Sequence, residues 1–419
     1  MSNPCYRGIT LDGQAVELET RRGVIVAARA VEAAADLPRL LPPLVDLQHN
    51  GALGFAFNDM RENPSEPLRA VADYLIANGV GRAMITFSTA PYGHLAEAAA
   101  ALDKALSADA GLSRLFCGIF HEGVFISPDR GWRGGHDPAY ILPPDWDRFR
   151  RLNEAGGHRV AMVNVAPEQP GAMAFIRRAA AAGLKVSLGH CHPDTAAIAS
   201  AVDNGATLVT HFANGAAPNI HRFKNPFWGF LDNPGLTLAL VGDGFHLPPE
   251  VASVVFKVKG PAGCFMVSDA CRYSGCAPGR YRRLGGLDCV VEDNGYIHVA
   301  GQELLAGSWF QNNRGVEFLV NRAGFDFAVA WRLCSLTPAK AAGIALPNLR
   351  VGDEATFVQA RMADGRLVIE RSVFMGVEYA GAAAPRPPTA PPAPPVLEKS
   401  PRGVRPMPLA LAYGASGNG

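Results

Sequence analysis

The sequence predicts an α/β fold: a TIM-like (β/α)8 barrel with a small β-sandwich formed from both chain ends. Three observations carry that expectation. From Leu41 onward, short apolar runs alternate with Ala- and Leu-rich stretches of helical period, the text of a parallel sheet covered by helices. Polar residues stand within two positions of where several of those runs end, at the level where a barrel gathers its chemistry. Strand-like segments without intervening helices flank the alternating region on both sides.

The first flank runs from about Tyr6 to Arg39, with Gly23-Val24-Ile25-Val26-Ala27-Ala28 as its clearest strand. In the alternating region, Leu68 to Ala77 reads as a helix before a strand at Arg82 to Thr86, and Gly171 to Ala182 as a helix before Lys185 to Leu188. Further strands are expected at Thr207 to Thr210, Thr237 to Val241 and Cys264 to Val267. After Pro338-Ala339-Lys340-Ala341 the text turns strand-like again, at Ala355 to Val358 and Arg366 to Glu370, and these segments are expected to pair with the N-terminal strands. The resulting division places residues 1–40 and 345–380 in the small β-sandwich, 41–344 in the barrel and 381–419 in a tail. That tail contains Ala390-Pro391-Pro392-Ala393-Pro394-Pro395, which lacks the amide donors a sheet needs, so a disordered or polyproline segment is expected.

Composition narrows the function. Of 419 residues, 48% are apolar and 18% charged, enough for a large buried core and unlike a disordered or fibrous chain. Basic and acidic residues number 39 and 38, so a net charge of +1 supplies no field that would draw the chain to nucleic acid or an anionic membrane. An anionic substrate must therefore be held locally. The eight cysteines, Cys5, Cys117, Cys191, Cys264 and Cys289 among them, show no CxxC pairing and read as reduced thiols. The N-terminus carries no basic segment followed by an apolar run, and no apolar stretch approaches the ~18 residues of a membrane span. A soluble, cytoplasmic enzyme is expected.

Four residues stand out by position: Glu122 after Leu115 to Phe120, His190 after Val186 to Leu188, His211 after Leu208 to Thr210, and Asp269 after Phe265 to Val267. On barrel strands all four would open into one mouth. Two imidazoles and a carboxylate suit a catalytic divalent ion that keeps a position open for water. A second carboxylate beside that water can take its proton and return it to a departing nitrogen, the role expected of Asp269. Each histidine taken alone reads better as a strand cap or a satisfied core group, and Asp269 can be read as a helix N-cap. The set of four is what points to a site.

The segments Val45-Asp46-Leu47-Gln48-His49-Asn50-Gly51, His121-Glu122-Gly123, Gly189-His190, Thr210-His211-Phe212-Ala213-Asn214-Gly215, Asp243-Gly244-Phe245-His246 and Ser268-Asp269-Ala270 resemble the N-acetylglucosamine-6-phosphate deacetylase family of the amidohydrolase superfamily. The likeness continues through Pro278-Gly279-Arg280-Tyr281, Leu284-Gly285-Gly286, Leu305-Ala306-Gly307-Ser308 and Leu336-Thr337-Pro338-Ala339, and covers roughly Leu41 to Val358 in the family's order. It implies Glu122, His190 and His211 as metal ligands and Asp269 as the catalytic acid and base. Where amidohydrolases often carry His-x-His on the first strand, Gln48 and Asn50 stand here, which implies one ion rather than two. Zinc is the expected ion, with iron or another divalent ion as the alternative. Around a small amino-sugar phosphate the likeness places Gly135, His136, Asn214, Gly215, Arg222, Asp243, His246, Leu305, Ala306 and Gly307. An arginine offers planar charge-assisted donors to phosphate, although Arg222 beside His221 and Lys224 reads equally as a solvated basic cluster.

The implied reaction is metal-dependent hydrolysis of N-acetylglucosamine 6-phosphate to glucosamine 6-phosphate and acetate, in amino-sugar catabolism, by a homodimer. This chain departs from the family at Gly215-Ala216-Ala217-Pro218, at the aromatic stretch Phe223 to Phe230, and at Val124-Phe125-Ile126-Ser127. Those loops line the substrate side. The alternatives are a deacetylase of a different N-acyl amino sugar and a sugar-phosphate-binding homologue without catalysis.

Overall fold

Alternation of inward and outward side chains builds the first layer. In the computed structural model, which describes residues 3–282, 288–302 and 304–382, β1 (Cys5–Ile9), β2 (Ala15–Arg21) and β3 (Val24–Ala30) pair antiparallel in sequence. The β2–β3 turn is Arg22-Gly23, with φ of 50° and 77°, the double left-handed geometry that matches strand twist. A Cβ on Gly23 would stand 2.9 Å from the Met375 carbonyl oxygen. Next, β4 (Arg39–Leu41) joins β1 in parallel.

The barrel follows. Its strands are β5 (Leu44–His49), β6 (Val80–Phe87), β7 (Phe116–His121), β8 (Val160–Val165), β9 (Lys185–Leu188), β10 (Ala206–Val209), β11 (Thr237–Val241) and β12 (Cys264–Val267). Every neighbouring pair in that order is parallel. Both faces of β5, β6 and β12 are buried, which is why these strands are mostly apolar rather than alternating, Asp46, Gln48, His49 and Arg82 being buried exceptions. Inside the barrel Val45, Leu47, Met84, Phe120, Met162 and Phe265 pack on one another, and a second, larger core fills the space between strands and helices. First and last strands meet just beyond their C-terminal ends, where the Asp269 amide donates to the Gln48 carbonyl at 3.0 Å and the Asn50 amide to the Ala270 carbonyl at 2.7 Å.

A small antiparallel sheet interrupts the chain after the eighth barrel strand: β13 (Gly279–Arg282), β14 (Asp288–Val291) and β15 (Ile297–Val299). Its half-exposed strands lack the long apolar runs that mark the barrel. Helices over Asn313–Asn321, Phe327–Cys334 and Leu336–Ala342 return the chain to the outer sheet as β16 (Phe357–Ala363), β17 (Arg366–Phe374) and β18 (Val377–Ala380). The order β18-β17-β16-β4-β1-β2-β3 gives one seven-stranded sheet drawn from both chain ends, as expected. It curls so that Val24 on its far edge bridges to Glu354. Tyr6, Leu18, Ile25, Leu40, Phe357 and Val373 form its own core. Leu41 still pairs with Val358 in this layer, and Leu44 begins the barrel.

The Leu284-Gly285-Gly286 motif lies outside the described residues, as does the proline-rich tail beyond Ala382. No helix among the described residues is long and apolar enough to cross a membrane.

One ion-pair knot ties barrel to outer sheet. Arg82, fully buried on β6, reaches Glu354 at 3.1 Å, and Arg114 meets the other oxygen of the same carboxylate at 2.7 Å. Glu354→Ala would strand the buried Arg82 guanidinium without its partner, a change expected to cost about 3 kcal/mol in denaturant unfolding. An effect below about 1 kcal/mol would show that the link between the layers does not depend on this pair.

Candidate active site

Three donor atoms converge at the C-terminal mouth of the barrel from the ends of β7, β9 and β10. Glu122 Oε1 lies 3.1 Å from His211 Nε2 and 3.5 Å from His190 Nε2, and the two imidazole nitrogens are 3.0 Å apart. All three residues are buried. Backbone turns aim them: His190 and His211 follow their strands with φ of 51° and 27°, and Asp269 follows β12 with φ of 49°. Non-glycine residues rarely adopt that region, so three of them at strand ends around one cavity mark stored strain at a functional site.

The donor set fits a divalent cation. Donors arranged tetrahedrally at ~2.0–2.1 Å from a metal stand roughly 3.3 Å from one another, the separation these three atoms already show. Two imidazole lone pairs facing at this distance repel unless positive charge lies between them. The protein also sets the tautomer of one: His190 Nδ1 donates to the Trp132 carbonyl at 3.1 Å, which leaves its Nε2 lone pair pointing at the cluster. Gly134 and Gly215 make room for that ring, since a Cβ would lie 3.1 Å from its Cε1 at the first and 2.5 Å from its Nδ1 at the second.

A fourth imidazole borders the set. His136 Nε2 lies 3.2 Å from His190 Nε2, and Glu122, His136 and His190 hold ligating atoms within 4.8 Å of one another. Two triads are therefore geometrically available. In the triad with His211 every separation is 3.5 Å or less, while His136 Nδ1 meets the Thr89 hydroxyl at 2.7 Å and the Thr89 amide at 3.3 Å, contacts that hold its ring beside the cluster.

No family model matches the chain. It is 27% identical over 357 residues to the N-acetylglucosamine-6-phosphate deacetylase of Bacillus subtilis (strain 168), covering 84% of this chain and 88% of that protein. The human N-acetylglucosamine-6-phosphate deacetylase is 29% identical over 347 residues, across 78% of this chain and 83% of its own length. Among solved structures, a mutant N-acetyl-D-glucosamine-6-phosphate deacetylase from Mycobacterium smegmatis in complex with N-acetyl-D-glucosamine-6-phosphate superposes with a TM-score of 0.79 at 25% identity, over 91% of this chain and 100% of that one. In sequence and in fold the chain is similar to N-acetylglucosamine-6-phosphate deacetylases over most of its length. More distant amidohydrolases such as enamidase, at 13% identity and a TM-score of 0.54, share the fold alone.

The first-strand pair that sets this chain apart from His-x-His amidohydrolases has a clear place in the deacetylase site. Gln48 Nε2 donates to Glu122 Oε1 at 2.9 Å and to Asp269 Oδ1 at 3.1 Å, and Asn50 Nδ2 donates to the same Asp269 oxygen at 2.9 Å. The Gln48 amide thus bridges two carboxylates that would otherwise repel, and Asn50 adds a second donor to Asp269. No helix starts after Asp269, which removes the N-cap reading of that residue. Burial, reinforced by the nearby Glu122 charge, pushes the Asp269 carboxyl up to about 7. For Glu122, burial alone would raise the value, but hydrogen bonds from His190 and His211 and the nearby imidazoles hold it well below the usual carboxylate range.

Other expected residues divide between the mouth and its rim. His246 Nδ1 pairs with Asp243 Oδ2 at 2.7 Å, and the other Asp243 oxygen accepts from the Phe245 and His246 amides at 2.8 and 3.0 Å. Burial works against charge on His246, yet the Asp243 carboxylate outweighs it and raises the imidazole. Leu305 to Gly307 run beside the catalytic strand end: Leu305 bridges His298, the Ala306 amide donates to the Ile297 carbonyl, and the Ser308 amide to the Asp269 carbonyl at 3.1 Å. The Asn214 amide donates to the His211 carbonyl at 2.8 Å, and Gly135 and His136 sit in the loop after β7. Arg222 is not brought to the cluster. It stands exposed with its guanidinium 5.3 Å from the Phe223 ring centre, just before the aromatic stretch that departs from the family text.

Sequence reasoning missed Thr89, Trp132 and Asp46. Asp46 sits below the mouth, fully buried, with the Ser268 hydroxyl and the Ser268 and Gln48 amides on its oxygens, and burial pushes its carboxyl up to about 6. Its signal was present: a charged residue in the middle of an apolar strand, two positions before Gln48 and therefore on the same face.

His190→Ala and His211→Ala are each expected to lose a tightly held equivalent of divalent ion from the purified protein while keeping a cooperative melting transition. Gly215→Ala should weaken ion binding by about tenfold or more, because its methyl would displace the His190 ring and its backbone, at φ of +59°, disfavours any side chain. Metal analysis showing a full equivalent in both histidine variants would remove them as ligands.

Proposed function

We propose that this protein hydrolyses N-acetylglucosamine 6-phosphate to glucosamine 6-phosphate and acetate, with Glu122, His190 and His211 holding one divalent ion and Asp269 moving the proton. The observation that carries the reading is the placement of Asp269: a buried carboxylate beside the donor cluster with a value near neutrality, where a group can both accept and return a proton. When bound, the cation would polarise the acetamide carbonyl and make a neighbouring water more acidic.

The chain's own groups supply the rest. Asp269 Oδ1 is pinned by the Gln48 and Asn50 amides, so Oδ2 is the oxygen left to receive the proton of the attacking water. The same oxygen then delivers that proton to the departing amine nitrogen. His136, held through Nδ1 by Thr89, has its Nε2 at the edge of the donor cluster, 3.2 Å from His190 Nε2, where it would serve the substrate carbonyl as a hydrogen-bond donor. His246, paired with Asp243 at 2.7 Å, supports placement of a polar sugar at the same mouth.

The finer parts of the proposal are zinc as the resident ion, a cytoplasmic location and a homodimer, and these rest on the family likeness. A deacetylase of another N-acyl amino sugar remains the second reading, favoured by one observation: Arg222, the expected phosphate partner, lies exposed within a rewritten loop.

Asp269→Asn should retain the ion and lose turnover by about a thousandfold, measured as acetate release. Near-normal release would exclude Asp269 from the chemistry. Assays on N-acetylglucosamine with and without the 6-phosphate decide the substrate. The proposal expects kcat/KM to be at least ~100-fold higher with phosphate, and equal values would favour the second reading.

A further inference from the structure

Asn164 lies on β8, between the strand that ends at Glu122 and the strand that ends at His190, and its side chain has no solvent exposure. Its amide nitrogen donates to two carbonyls, that of Glu122 at 3.1 Å and that of Gly189 at 3.1 Å. Its amide oxygen accepts from the Thr210 hydroxyl at 2.9 Å, and that hydroxyl also meets Ser187 Oγ at 2.6 Å. Gly189 directly precedes His190, and Thr210 directly precedes His211. One buried side chain therefore touches the backbone or the immediate neighbour of all three residues whose donor atoms converge.

We propose that Asn164 is a positioning residue that sets the spacing of the three ligand-bearing strand ends and thereby the affinity and geometry of the cation site. This rests on the reading of Glu122, His190 and His211 as ligands. Strands β7 and β9 are not neighbours in the barrel, so no ladder hydrogen bond connects them. The Asn164 amide spans them by taking one carbonyl from each. With both donors and its acceptor engaged, the amide has one orientation that satisfies every group, and rotation by half a turn would set oxygen against two carbonyl oxygens. The fit is also steric. A Cβ on Gly189 would stand 2.8 Å from Asn164 Oδ1 and 2.6 Å from the Thr210 Cβ, so the glycine before His190 leaves the space that this amide needs. His190 and His211 both sit in left-handed backbone, a conformation that persists only where the surroundings over-determine it. Asn164 supplies that constraint from below.

A comparable amide elsewhere in the barrel provides the control. Asn312, also buried, donates to the Val45, Met266 and Cys334 carbonyls at 2.7, 3.4 and 3.3 Å, and none of these precedes or carries a proposed ligand. Metal-stripped wild-type protein, Asn164→Asp, Asn164→Ser and Asn312→Asp would each be titrated with Co²⁺, reading the dissociation constant and the visible d–d absorption bands, with melting temperatures alongside. Asn164→Asp turns both donors into acceptors facing carbonyls, while Asn164→Ser keeps a single short donor, so one variant reports if the other fails to fold. Both are expected to bind Co²⁺ about 10- to 100-fold more weakly than wild type with altered band intensities, and Asn312→Asp to lower the melting temperature with wild-type affinity and bands. Wild-type affinity and spectrum in both Asn164 variants would overturn the inference, as would an equal loss in Asn312→Asp. A wild-type Co²⁺ site that survives His211→Ala unchanged would overturn the ligand reading instead, and this inference with it.

Discussion

Electrostatic repulsion among electron-rich atoms is the constraint around which this barrel mouth is built. Two imidazole nitrogens and a carboxylate oxygen are held within 3.5 Å of one another, and a second carboxylate is joined to the first through a shared amide. Left to themselves such groups would separate or protonate. The surrounding structure prevents the first: three strand ends turn through left-handed backbone, two glycines leave room for the His190 ring, and buried amides at Gln48, Asn50 and Asn164 link the elements that carry the donors. A divalent cation removes the repulsion.

The same constraint separates the two carboxylates into different chemical roles. At Glu122 hydrogen bonds and nearby imidazoles outweigh burial and hold the carboxyl low, the state that a proposed metal ligand needs. Burial and the neighbouring Glu122 charge push the Asp269 carboxyl up to about 7, the range that a proposed proton carrier needs. Gln48 and Asn50 take the place that a second pair of histidines would occupy, and their uncharged donors quiet the Asp269 oxygen they touch without adding another cation site. The residue types on the first strand thus bear directly on the carboxyl at the end of the last.

Much of this was legible in the sequence because a parallel barrel writes itself plainly. The segments Lys185–Leu188, Thr237–Val241 and Cys264–Val267 match the expected strands residue for residue, since strands buried on both faces are mostly apolar runs bounded by polar text. Glu122, His190, His211 and Asp269 all fall at strand ends facing one mouth, as their spacing predicts. The strand Val160–Val165 escaped because Asn164 breaks its apolar pattern, and that residue is the one whose position beneath the ligands gives the interruption a purpose. The sheet of β13 to β15 escaped because its strands are short and half-exposed, leaving no clean period. Contacts that join Thr89 to His136 or Trp132 to His190 cross between loops, where neither spacing nor propensity carries information.

The central claim is that three particular atoms share one cation, and anomalous X-ray diffraction from crystals equilibrated with Co²⁺ tests it most directly. The account expects one strong peak at ~2.0–2.3 Å from Glu122 Oε1, His190 Nε2 and His211 Nε2, with Asp269 on its open side. A peak held by His136 in place of His211, or no peak at this mouth, would contradict it.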